Sequence, residues 1–163
     1  VKIMENIDKI YKKYATMIKN YIFFITRDND LAEDIMQETF VVAIKQIDKF
    51  RGDSSIYTWL CSIARKILYK YTKRYNLKNN ISIDEVQLSQ NSTLEDNIFT
   101  YDNLKLFESL QELNQSAKNV LYLRTMENLS FKEIGMILNK SENWARVTFF
   151  RSKQKLKKED FIW

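Results

Sequence analysis

Asp34 and Glu38 stand four residues apart in the run from Leu31 to Ile44, so a helix there carries both carboxylates on one side. A carboxylate pair at that spacing suits general acid and base work, or two of the oxygens around a divalent cation. The rest of the sequence withholds what either chemistry needs. There is no His, hence no imidazole titrating near neutral pH and no Ser-His or Cys-His pair, and no third acid converges on the two. A single Cys61 forbids an internal disulfide and a cysteine cluster for zinc. Gly52 and Gly135, the two glycines, lie too far apart to make a phosphate-cradling loop. No catalytic residue, metal site or cofactor is expected. The outward side of this helix, Asp34, Gln37, Glu38 and Val41, mixes acid with apolar surface, and a docking patch for a protein or a solvated face suits it better than catalysis. Leu31, Ile35, Val42 and Ala43 are its expected inward residues.

Two other stretches join cations to aromatic rings. A helix expected from about Ile56 to Arg74 buries Ile56, Leu60, Ile63, Ile67 and Tyr71 and turns Ser62, Arg65, Lys66, Tyr69 and Lys73 outward. Such a face can follow a strand's phosphates while stacking unpaired bases, although a plain basic face fits the spacing equally well. Near the end of the chain, Ala145, Phe149, Ser152 and Leu156 fall on one stripe at about 100° per residue. Asn143, Arg146, Val147, Phe150, Arg151 and Gln154 lie opposite, trailed by Lys153, Lys155, Lys157 and Lys158. Amide and guanidinium groups on that face can read base edges in a major groove while lysines hold phosphates. The alternative is a solvated charged face, which leaves an exposed Phe150 unexplained. Trp144, at the start of that helix, suits either a core plug against the preceding helix or a DNA contact, and the core or backbone-buttress role is the expected one.

The elements that must position these groups are legible as helix punctuation. Asp28-Asn29-Asp30, followed by Glu33, starts the acidic helix, and Phe50-Arg51-Gly52-Asp53-Ser54-Ser55 makes a loop before the basic one. Ser130 with Glu133 three residues on is a capping-box pattern that opens a short helix. That helix stops at Asn139-Lys140-Ser141, where Asn tolerates a left-handed backbone and Ser caps the next helix, the spacing of a helix-turn-helix.

Zero Pro and two Gly among 163 residues, 45% of them hydrophobic, favour an all-α chain. The longest apolar runs, such as Tyr21 to Ile25, are far short of the roughly 18 residues of a membrane span, and no signal-peptide pattern opens the sequence. A cytoplasmic protein without direct membrane insertion is expected. Charge is distributed unevenly: residues 1–75 carry 14 Lys/Arg and 9 Asp/Glu (net +5), residues 76–109 carry 2 and 6 (net −4), and residues 110–163 carry 10 and 6 (net +4). Clustered Asn, Ser and Asp in the acidic third read as a tether. Apolar spacing resumes between Thr93 and Leu113, so the expected organisation is a module at 1–75, an acidic flexible linker at 76–94 and a second module at 95–163.

The runs Ala32 to Phe40, Phe50 to Ser55, Thr58-Trp59-Leu60 and Ile63-Ala64-Arg65 resemble region 2 of bacterial sigma factors, in order and without gaps. Leu129 to Ile134, continuing through Arg151 and Leu156, is similar to region 4, and the short chain with no intervening third domain resembles the extracytoplasmic-function (ECF) group. The resemblance implies two α-helical domains that bind core RNA polymerase, recognise the −10 and −35 elements of promoter DNA and help open the duplex without catalysing a reaction. Carried onto this sequence, Asp34, Gln37, Glu38 and Val41 face the polymerase's largest subunit. Phe50, Arg51, Asp53, Ser54 and Ser55 belong to the loop that captures a flipped base, and Arg65, Lys66 and Tyr69 to the helix along the −10 DNA. Asn143, Arg146, Val147, Phe150 and Arg151 take the −35 reading positions. The tether matches a segment threading the polymerase's RNA path, and an anti-sigma factor, often membrane-bound, is a further implied partner. Lys66 replaces a usual Asn, so a phosphate contact is expected in place of that Asn's hydrogen bond near the melted strand. Asn143 to Thr148 replaces Gly-Thr-Val-Lys-Ser-Arg, so the −35 preference cannot be carried over, and Asn114 stands where Pro commonly starts a helix. A stand-alone helix-turn-helix regulator would need a dimer surface or effector pocket. A purely protein-binding helical regulator would not need base-reading residues.

Overall fold

A computed structural model describes residues 2–79 and 113–156 of the chain. The chain divides into two compact units, Val1–Ser92 and Thr93–Trp163. Among the described residues the first unit contains α1 (Lys2–Thr26), α2 (Asn29–Gln46), a single 3₁₀ turn (Ile47–Lys49) and α3 (Ile56–Asn79). The second contains α4 (Gln115–Thr125), α5 (Phe131–Leu138) and α6 (Glu142–Leu156). The helical class expected from composition is what folds. α3 runs four residues past Tyr75 into the expected tether; the tether's remainder and most of the apolar spacing from Thr93 to Leu113 lie outside the described residues.

α1 buries Ile10, Ile18, Tyr21 and Ile22 and ends where Arg27 adopts a left-handed φ of 56°. The guanidinium of Arg27 lies over the rings of Phe23 and Phe24, at 5.9 and 5.4 Å, which offsets the cost of that backbone. Asp28 then caps α2 by accepting from the Leu31 N–H at 3.0 Å. The buried stripe of α2 is Ala32, Ile35, Met36, Thr39, Phe40 and Ala43, a complete helical repeat against α1 and α3. Leu31 and Val42, expected inward, sit half-buried at its margins, because the larger Met36 and Phe40 occupy the centre. Thr39 is accommodated in that stripe by donating its hydroxyl to Ile35 O at 2.7 Å.

α3 buries Leu60, Ile63 and Ile67 as expected, together with Tyr57, Thr58, Cys61, Ala64 and Leu68, whereas Ile56 and Tyr71 are only half-buried. The stripe is wider than one row because α3 packs on both α1 and α2. Burying Leu60 or Ile67 stabilises the unit by roughly 1.5–3 kcal/mol each.

In the second unit Asn114 caps α4: its side chain accepts from Ala117 N–H at 2.8 Å. α5 opens with a complete capping box, Ser130 Oγ accepting from Glu133 N–H at 3.1 Å and Glu133 accepting from Ser130 N–H at 3.0 Å. It ends on Asn139 in the left-handed region, φ 56° and ψ 46°. Ser141 Oγ accepts from Trp144 N–H at 3.0 Å and starts α6. The turn is held by Lys140 N–H on Gly135 O at 2.8 Å, and a Cβ on Gly135 would stand 2.6 Å from Lys140 O. Gly135 is therefore a close-approach glycine between two helices.

Candidate polymerase and nucleic-acid interfaces

The outward side of α2 is as the sequence suggests: Asp34, Gln37, Glu38 and Val41 are all exposed. Ile44, one turn beyond Val41, extends the apolar part, both residues being 50% exposed. The spacing Val41-Ile44 signals it, since a helix presents i and i+3 together. Among the described residues no group of three or more His, Cys, Asp or Glu is placed to hold a metal ion. Glu38 Oε2 instead accepts from the Tyr71 hydroxyl of α3 at 3.2 Å. Gln37 donates to Glu33 at 3.1 Å, and Glu33 pairs with Lys19 of α1 at 2.9 Å. The Lys19 hydrogen bond first, then that of Gln37, holds the Glu33 carboxyl below the usual carboxylate range. Asp34 and Glu38 are left as the forward acids of a face whose third acid is already neutralised.

The loop before α3 is partly structural. Gly52 has φ 76°, and the Phe50 ring packs 5.1 Å from Trp59. Ser55 Oγ accepts from Thr58 N–H at 3.2 Å, which caps α3, while Ser54 donates to Ser55 O at 3.2 Å. Arg51 and Asp53 are exposed at the tip. On α3, Lys66 is exposed and Tyr69 is 56% exposed, a cation and a ring set roughly 15–20 Å along the helix from the loop. Arg65 differs from the sequence expectation: it is half-buried, and its guanidinium donates to Tyr21 OH at 3.4 Å. Its long side chain reaches across to α1, a direction that spacing along one helix does not define.

α6 separates its two faces cleanly. Ala145, Phe149, Ser152 and Leu156 are all buried, while Asn143, Arg146, Phe150, Arg151 and Gln154 are exposed and Val147 is half-buried. Trp144 is half-buried with Lys140 Nζ 5.7 Å over its ring, in keeping with a buttress. Phe150 stays 52% exposed, its ring 5.4 Å from Phe149 and 6.2 Å from Phe131. Lys153 is less free than a trailing phosphate contact would be, for it leans over Phe149 at 5.6 Å. Lys157 and Lys158 lie outside the described residues. Spacing did not single out Glu142, whose carboxylate pairs with Arg146 at 2.8 Å, or Phe131, over whose ring Arg124 and Arg146 stand at 4.5 and 5.5 Å. The i,i+4 relation of Glu142 and Arg146 was legible; the Phe131 platform, shared by three helices, was not.

Comparison with known proteins agrees with this division. Residues 10–78 match the family described as Sigma-70 region 2, and residues 109–158 match Sigma-70, region 4. The chain is similar to the RNA polymerase sigma factor YlaC of Bacillus subtilis, with 30% identity over 97% of this chain and 94% of that one. It is also similar to the ECF RNA polymerase sigma factor SigM of the same organism, with 30% identity and 93% of each chain covered. In fold it resembles the sigma factor RpoE of Bartonella quintana, solved with the anti-sigma factor NepR, at a TM-score of 0.79 and 17% identity over 94% of this chain and 96% of that one. CnrH, solved with the cytosolic domain of CnrY, gives a TM-score of 0.65 at 16% identity over 94% of this chain and 86% of that one. With both sigma regions matched in order, the chain belongs to the ECF group of the RNA polymerase sigma factors.

Proposed function

We propose that this chain is a non-catalytic specificity subunit whose two units divide the work of promoter recognition. The observation that carries the reading is α6, on which a buried stripe of four residues stands opposite an exposed face of Asn143, Arg146, Phe150 and Arg151. In a helix-turn-helix that face enters the major groove, so Asn143, Arg146, Val147, Phe150 and Arg151 meet the −35 element. The α2 face of Asp34, Gln37, Glu38 and Val41, enlarged by Ile44, docks core RNA polymerase. Arg51 and Asp53 at the loop tip, with Phe50, Ser54 and Ser55 shaping it, receive a base flipped from the −10 element, and Lys66 and Tyr69 track the melted strand. Arg65, tied to α1, supports that surface.

The tether between the units supplies acidic chain within the polymerase. An anti-sigma factor covering the α2 or α6 face is the natural antagonist; the solved complex of similar fold with the anti-sigma factor NepR supports this partner class. No helix among the described residues is long and apolar enough to cross a membrane. Action beside core polymerase places the chain in the cytoplasm. Footprinting of the assembled holoenzyme on promoter DNA tests the reading. Protection is expected at both elements, with −35 protection lost when α6 is altered and −10 protection retained.

A further inference from the structure

Arg146, the first cation of the reading helix, is held from two sides. One turn before it, Glu142 accepts from its guanidinium at 2.8 Å, and the Phe131 ring of α5 lies 5.5 Å below it. The ring is itself fixed: it packs against Phe149 at 5.5 Å, and Arg124 of α4 stacks on it at 4.5 Å. Both partners of the ion pair are about half exposed, 46% and 49%, so the pair stands in water and adds little to folding. A surface pair of small stabilising value that fixes one long side chain matters for geometry instead. The bond to Glu142 engages one of five N–H donors, and a guanidinium already confined to one conformation loses less entropy on meeting a base edge.

The carboxylate also acts on the field. Random DNA is held by phosphates alone, and a negative group at the leading turn of α6 offsets one positive charge there. It weakens binding to every sequence, while the orientation it gives Arg146 favours the sequence whose acceptors meet that guanidinium.

We propose that Glu142 and Phe131 are positioning residues that fix which base pair Arg146 reads, and that Glu142 lowers affinity for non-promoter DNA. The inference rests on the reading of α6 as the −35 helix. Its test uses holoenzyme assembled from the full chain and core RNA polymerase. Duplexes are selected by the wild-type holoenzyme from a library randomised across the −35 segment, and affinity is then measured for a selected duplex and a scrambled one over a salt series. Glu142→Gln is expected to bind the scrambled duplex more tightly, to discriminate roughly five- to tenfold less, and to steepen the log–log salt dependence by about 0.9. Phe131→Leu keeps an apolar group on α5 and is expected to lower discrimination with the salt dependence unchanged. An unchanged discrimination ratio in Glu142→Gln overturns the inference, as does a parallel loss on both duplexes with a lowered Tm, which marks a merely structural role. If the wild-type selection yields no −35 preference at all, the reading of α6 fails and the inference with it, a result distinct from either of these.

Discussion

Arg65 Nη1 donates to the Tyr21 hydroxyl at 3.4 Å, joining the middle of α3 to a side chain of α1 that has no solvent exposure. Arg65 is tied to α1 whereas its neighbour Lys66 is exposed, so substitutions along α3 separate into those that alter a surface and those that alter its support. Arg65→Ala is expected to lower stability by about 1 kcal/mol without DNA, the net worth of a hydrogen bond plus lost packing. Lys66→Ala, at an exposed position, is expected to stay within about 0.5 kcal/mol of wild type while weakening −10 binding. Urea denaturation of the two variants checks the contrast.

Burial, the largest cause, pushes the Tyr21 hydroxyl up to about 12 from its ordinary 10.0, Arg65 opposing the shift only in part. The folded state then keeps a proton that the unfolded chain has released. This contribution is complete below the unfolded value and is lost as pH rises through the folded one, by roughly 2–3 kcal/mol. Tyr21→Phe is expected to be less sensitive to pH across that alkaline window by the same amount. Denaturant midpoints measured on either side of it for both proteins give the difference; equal pH sensitivity contradicts the assignment.

Gly135→Ala opposes two effects. Alanine in a helix interior ordinarily gains about 1 kcal/mol over glycine. Here its Cβ meets the backbone carbonyl of Lys140 at 2.6 Å, which cannot swing away as a side-chain tip can. The clash wins, and a net loss of about 2–3 kcal/mol with a weakened −35 interaction is expected from thermal unfolding and DNA binding.

Much of the second unit is legible residue by residue because its signals are local. The Ser130–Glu133 capping box, the left-handed Asn139 and the Ser141 cap each span no more than four residues, and the buried stripe of α6 follows from one helix's period. What spacing misses are side chains whose place depends on another element. Arg65 turns to a tyrosine 44 residues away, and Phe131 serves arginines from α4 and α6. Leu31 and Val42 yield the centre of α2 to Met36 and Phe40 because α1 and α3 together decide which side is covered. α1 has ordinary apolar spacing in Ile10, Ile18 and Ile22, yet bears no residue that suggests chemistry, so it enters only with the structure.

Arg151→Ala is expected to cost about 1–3 kcal/mol at a single −35 base pair and to leave polymerase association intact. Binding to a panel of singly substituted promoter duplexes distinguishes this from a phosphate contact, which would weaken all of them alike.

The docking face is tested by charge. Asp34→Lys or Glu38→Lys places a cation where the partner surface is expected to be basic, and each is expected to reduce co-purification with core polymerase at least several-fold. Tyr71→Phe removes the 3.2 Å bond to Glu38 while keeping its charge, and a much smaller effect is expected.

The central claim is that this chain gives core RNA polymerase its choice of promoter. Run-off transcription with the purified chain, core polymerase and a library of genomic promoter fragments measures it directly. Discrete transcripts from a defined subset of fragments, absent with core alone and abolished by Glu38→Lys, are the predicted result. Transcription indistinguishable from core alone, at a chain concentration that saturates core, would contradict the account.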